Sequence, residues 1–208
     1  MRIQSPFEEK LNSLSHALGI VFGIIALVLF GQYEGHNTPY SFIASVVYSL
    51  TIIILFTAST LYHAVKHEAL KHKFRILDHI GIYLLIAGTY TPICLVTLES
   101  GQGWIIFYAV WGIALFGTLL KLFFTGRFEI FSTILYLIMG WLIVLDFENL
   151  KISLQPEGLQ FMFIGGMAYT LGIVFYSIER IPYNHFIWHL MVLTGAVSHF
   201  FMIYLYVI

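Results

Sequence analysis

Seven stretches of this chain, roughly 17–33, 41–64, 76–98, 104–124, 131–147, 159–178 and 185–207, are apolar over about the 20 residues that a helix needs to cross the hydrocarbon core of a bilayer. No soluble fold accommodates so many. The expectation is an all-α polytopic membrane protein, a single domain over 1–208 in which a short cytoplasmic segment at 1–16 precedes a bundle of seven transmembrane helices. Composition agrees, because 59% hydrophobic and 10% charged residues lie far from the soluble average. Turn and polar signals separate the runs, as in Glu34-Gly35-His36-Asn37-Thr38-Pro39, Glu99-Ser100-Gly101-Gln102-Gly103 and Gln155-Pro156-Glu157-Gly158. The first run lacks a small-residue cleavage site and exceeds a signal-peptide core, so it is read as a retained helix.

Basic residues set the expected orientation, since cytoplasmic loops retain Lys and Arg. With the N-terminus inside and the C-terminus outside, Arg2, Lys10, Lys66, Lys71, Lys73, Arg75, Lys121, Arg127 and Arg180 fall on the cytoplasmic side, and only Lys151 falls outside. The opposite loops carry Glu34, Glu99, Asp146, Glu148 and Glu157. The net charge of -1 says little about partners, and nothing suggests nucleic-acid binding. The one cysteine, Cys94, has no disulfide partner and reads as a buried filler. Pro92 predicts a kink in the third helix, and Ala168 with Gly172 would allow close helix approach in the sixth.

Against this apolar background, a few polar side chains share one depth near the cytoplasmic ends of different runs. Ser59 and His63 are four apart in the second helix, as are His185 and His189 in the seventh, so each pair occupies one helical face. Asp78 lies just inside the third. Ionisable groups inside a membrane are costly and mark functional sites. Three imidazoles plus an open position make a zinc site of the catalytic type, so His63, His185 and His189 are the expected ligands of Zn2+. Asp78 would bind the metal or hold its water and accept a proton, and Ser59 would donate toward a substrate oxygen or that water. Glu9, Asn12 and His16, spaced three and four apart, form a second set in the same layer, expected to orient ligands by hydrogen bonds, with His16 an alternative ligand.

Blander roles compete. Asp78 could pair with Arg75 at a helix end, Ser59 could bond back to its own helix, and Glu9, Asn12 and His16 could cap a helix or meet headgroups. His199, ten residues beyond His189, lies about 15 Å deeper and reads as a hydrogen-bonded interior histidine rather than a ligand. His67 and His72 read as solvated, and His79 points about 100° from Asp78. Trp104, Trp111, Trp141 and Trp188 suit packing and interfacial belts.

Together, Glu9-x-x-Asn12-x-x-x-His16, Ser59-x-x-x-His63, Leu77-Asp78-His79-Ile80-Gly81-Ile82-Tyr83 and His185-x-x-x-His189 resemble the hemolysin III and progestin and adiponectin receptor family, over nearly the whole chain. The short tails resemble its bacterial branch. The resemblance implies a multi-pass plasma-membrane protein with zinc on His63, His185 and His189, and Asp78 and Ser59 beside the metal-bound water. It also implies kinship with intramembrane hydrolases of lipid amides, so that membrane lipids are the partners and a lipid amide or ester the substrate, with a link to membrane lipid homeostasis. The alternatives are a non-catalytic regulator of membrane fluidity with structural zinc, and a haemolytic protein. The chain offers no amphipathic hairpin for pore insertion, no ionisable path across the bilayer for a proton-coupled transporter, and no lysine in the seventh helix for a retinal Schiff base.

Overall fold

A computed structural model describes residues 4–33 and 38–208, so Arg2 and the break residues Glu34, Gly35, His36 and Asn37 lie outside the described residues. Among the described residues there is no strand, and seven helical segments are long and apolar enough to cross a membrane. In chain order the elements are α1 (Pro6–Gly31), α2 (Ser41–Ala64), α3 (Glu68–Pro92), α4 (Gly103–Phe124), α5 (Glu129–Trp141), α6 (Phe147–Ser153), α7 (Pro156–Ser177) and α8 (Asn184–Met202). π-helical turns at Ile93–Thr97 and Ile203–Val207 extend α3 and α8, and a 3-10 turn at Leu142–Asp146 joins α5 to α6 as the two halves of the fifth crossing.

α1 begins at Pro6, well before the apolar run at 17, because its start is built from polar chemistry. Ser5 Oγ accepts the Glu8 N–H at 3.2 Å, and the Glu8 carboxylate accepts the Ser5 N–H at 2.9 Å, with Pro6 preset in the first turn. Glu9, Asn12 and His16 therefore lie inside a helix, on the turns that face α2 and α8. α3 likewise starts at Glu68, ahead of the apolar run at 76, so Lys71 and Arg75 are fixed on helical turns.

α3 is the most enclosed crossing and packs along α2, which in turn packs along α1, while α7 and α8 form a second close pair and α1 closes against α8. Tyr48, Ile52, Leu55, Phe56 and Tyr83 fill the centre without solvent contact or nearly so. Gly81 allows the α2–α3 approach, since a Cβ there would stand 2.9 Å from Leu55 Cα. Ala168 and Gly172 are both buried on α7, where a Cβ on Gly172 would meet the Trp188 ring at 2.7 Å. Cys94 is buried and free. Pro92 ends the regular part of α3, and the backbone continues in the wider π turn.

The fifth crossing breaks where another helix inserts a hydroxyl. Tyr90 Oη donates to the Gly140 carbonyl at 2.9 Å and accepts the Ile143 N–H at 3.0 Å, so the groups freed at the break are both satisfied. Near its far end, Asp146 accepts from the Gln102 N–H at 2.8 Å and from Asn149 Nδ2 at 2.6 Å. α5 makes few contacts with α7, and a cavity of about 250 Å³ lies between them, α3 and α8.

Candidate metal centre

Local geometry puts the three histidines at helix ends that cannot wander. α2 carries His63 in its last turn. α8 starts abruptly after Tyr183, whose φ of 57° is a left-handed conformation uncommon for a residue with a Cβ. Asn184 Nδ2 then donates to the Phe175 carbonyl at 3.1 Å, tying that first turn to the end of α7 and fixing where His185 emerges.

The imidazoles of His63, His185 and His189 converge. Their ring centroids are 5.1 Å apart for His63 and His185, 4.9 Å for His63 and His189, and 4.6 Å for His185 and His189. One nitrogen from each lies within 4.8 Å of the others, a buried group able to hold a metal ion. Around zinc, ligand nitrogens at 2.0–2.1 Å in tetrahedral array are about 3.3 Å apart, inside the 4.8 Å within which these three lie.

The donor chemistry fits as well. His63 Nδ1 lies 2.6 Å from Glu9 Oε2, so the ring gives that N–H to the carboxylate, and Nε2, the nitrogen a metal would take, is buried and without a protein partner. His189 Nδ1 lies 3.2 Å from the Asn12 carbonyl oxygen, which accepts only from an N–H, and this again leaves Nε2 as the acceptor. His185 Nε2 is buried and unpartnered too. Metal-binding histidines typically donate their second nitrogen to a carboxylate or a carbonyl. Glu9→Gln, which keeps shape and loses charge, is therefore expected to lower metal affinity by about 10–100-fold, read by competition against a chelating dye.

Of the set on α1, Glu9 reaches His63 through its side chain and Asn12 reaches His189 through its backbone carbonyl. The Asn12 side chain instead donates to Gln4 Oε1. His16 stacks on His189, centroids 3.6 Å apart, and neither of its nitrogens has a hydrogen-bond partner. Asp78 is buried and lines a cavity of about 20 Å³ with His16, His185 and His189, room for a single water. Ser59, fully buried, stands beside Asp78 with its hydroxyl short of hydrogen-bond geometry. Arg75 does not take Asp78 as its partner but pairs with Glu129 Oε1 at 3.3 Å.

Two contributors escaped the sequence reading. Lys71 Nζ holds Glu9 Oε1 at 2.8 Å while lying over the Tyr62 ring. Glu129, the first residue of α5, gathers Arg75, Lys121 at 2.8 Å and His79 at 3.9 Å. Lys121, expected at the cytoplasmic end of the 104–124 helix, is wholly buried where it meets Glu129.

The small cavity shares the walls Leu55, Ile82, Trp188 and Val192 with the large one, whose lining is overwhelmingly apolar. A cluster of metal-competent histidines thus adjoins, across shared walls, a space lined for a hydrocarbon chain.

Comparison with known proteins identifies the family. The family model described as Haemolysin-III related matches residues 4–200. The chain is 40% identical over 202 residues to Hemolysin-3 of Bacillus cereus, covering 97% of this chain and 92% of that protein. It is 36% identical over 200 residues to the Hemolysin-3 homolog of Bacillus subtilis (strain 168), covering 96% and 94%. The human monocyte to macrophage differentiation factor is 30% identical over 213 residues, covering 96% and 84%. No solved structure matches. With seven candidate crossings and a family match over nearly its whole length, the chain is a multi-pass membrane protein of the haemolysin III family.

Proposed function

We propose that the chain is a zinc-dependent intramembrane hydrolase of a lipid amide or ester, acting near the cytoplasmic face of the plasma membrane. The observation that carries this reading is the meeting of a buried three-histidine cluster with an apolar cavity through shared walls. Zinc bound there would polarise a carbonyl and make water a nucleophile near neutral pH. His63, His185 and His189 would hold it, each through Nε2, with Glu9 and the Asn12 carbonyl keeping His63 and His189 in the tautomer required.

The remaining residues divide the work by position. Asp78 shares the water-sized cavity with His185 and His189, which supports a role in which its carboxylate would take a proton from water and return it to the leaving group. Ser59, fully buried beside Asp78, would donate to the substrate carbonyl oxygen. The apolar cavity would orient the acyl chain and exclude bulk water. Asp78→Asn is expected to keep zinc and lose turnover by at least about 100-fold, the size of a general acid–base contribution. Metal analysis beside hydrolysis of a lipid amide panel checks both. Unchanged turnover would remove the catalytic reading.

The second reading is a membrane regulator in which zinc is structural. It is supported by the way the centre ties α1, α2 and α8 together. It expects Asp78→Asn to retain cellular function as well as metal, whereas the hydrolase does not.

A further inference from the structure

The large cavity contains a polar feature that an unsubstituted hydrocarbon chain would leave unsatisfied. Most of its polar lining is already committed to backbone. Thr89 donates to the Leu85 carbonyl, Thr170 to the Gly166 carbonyl, Tyr90 to Gly140 and Tyr136 to His79. The Tyr169 hydroxyl and His199 Nδ1 are different, for both are buried and neither has a hydrogen-bond partner. Both residues line the cavity, and their rings lie 5.5 Å apart.

The placement of this pair is firmly built. A Cβ on Gly165 of α7 would stand 2.7 Å from His199 Nε2, and one on Gly195 of α8 would stand 2.6 Å from Tyr169 Cζ. Each helix thus receives the other's ring over a glycine. The Nε2 edge of His199 faces the α7 backbone, and Nδ1 is the nitrogen left over. Buried polar atoms without partners are few in native proteins, and each calls for a physical explanation.

We propose that Tyr169 and His199 form a recognition subsite for a hydroxyl group carried partway along an acyl chain. Both atoms are sealed just behind the cavity wall, so once a small turn of the two rings brings them to it, a hydroxyl, which both accepts and donates, takes the Tyr169 O–H and gives its own proton to His199 Nδ1. His199 lies ten residues past His189 on α8, about 15 Å deeper than the histidine cluster. The preferred ligand is therefore a hydroxylated fatty acyl chain whose carboxyl or amide end sits at the cluster. This rests on the reading of the cavity as a lipid site, and concerns which lipid it selects.

Displacement of a fluorescent fatty acid from the full-length protein in nanodiscs tests it without any turnover. 12-Hydroxyoctadecanoic acid should displace the probe at about tenfold lower concentration than octadecanoic acid, the scale of one to two net hydrogen bonds. Tyr169→Phe should erase that preference and leave the affinity for octadecanoic acid unchanged, and His199→Leu, measured alongside, should do the same. Equal displacement by the two acids, or a preference that survives Tyr169→Phe, overturns the subsite while leaving the lipid cavity standing. If neither acid displaces the probe, the lipid reading of the cavity falls together with the subsite.

Discussion

Purified His185→Ala protein should carry zinc only at background level where the parent carries about one ion per chain, with affinity lower by more than about 100-fold, beyond the loss typical of an outer partner. His185 is the cleanest ligand to remove. His189 is stacked on His16 and bonded to the Asn12 carbonyl, and His63 is locked to Glu9, so truncating either also disturbs packing. His185 keeps its Nε2 free of protein partners, and its loss subtracts a donor from the centre with the least collateral change. Elemental analysis after preparation in zinc-supplemented medium checks the result, with circular dichroism confirming that the variant is folded. A parent free of metal, or a variant that retains it, would defeat the assignment of the centre.

The largest stability effect is expected at Glu129. Lys121 is fully buried, and its ammonium group pairs with Glu129 Oε2 at 2.8 Å. Glu129→Ala leaves that cation inside the protein without a counter-ion, next to Arg75; breaking a fully buried pair costs about 3–5 kcal/mol, and with the Glu129 side chain 28% exposed the loss should fall toward the lower end. The argument makes a second, opposite forecast. Adding Lys121→Met to Glu129→Ala removes the stranded charge and should recover much of the loss, since replacing a whole buried pair with apolar groups is often near neutral. Unfolding titrations in mixed micelles measure both variants. If the double variant is no more stable than the single one, the penalty does not come from the stranded charge.

Much of the candidate site was legible because it rests on one helical periodicity at a time. Ser59 with His63, and His185 with His189, share faces by spacing alone, and depth along separate apolar runs put Asp78 in the same layer. What stayed hidden depends on contacts between helices. The spacing of Glu9, Asn12 and His16 showed a common face but could not assign His63 to Glu9, the backbone of Asn12 to His189, or the stack of His16 on His189.

Glu129 was hidden for another reason. An apolar-run criterion begins the fifth helix at 131 and discards the acid just before it, although a lone carboxylate between Arg127 and an apolar run, opposite Lys121 and Arg75, was the available signal. The break at Leu142–Asp146 carries no glycine or proline of its own. Its cause is the Tyr90 hydroxyl arriving from α3, a tertiary event that local patterning does not register. Orientation of the termini still rests on the distribution of Lys and Arg.

The bond between His189 and the Asn12 carbonyl spans 177 positions of chain. During synthesis, α1 enters the bilayer first and α8 last, so the site stays incomplete through almost the whole of translation and closes only when the newest segment reaches the oldest. Metal capture would then come last in biogenesis, and metal content would serve as a gauge of how many molecules have finished assembling.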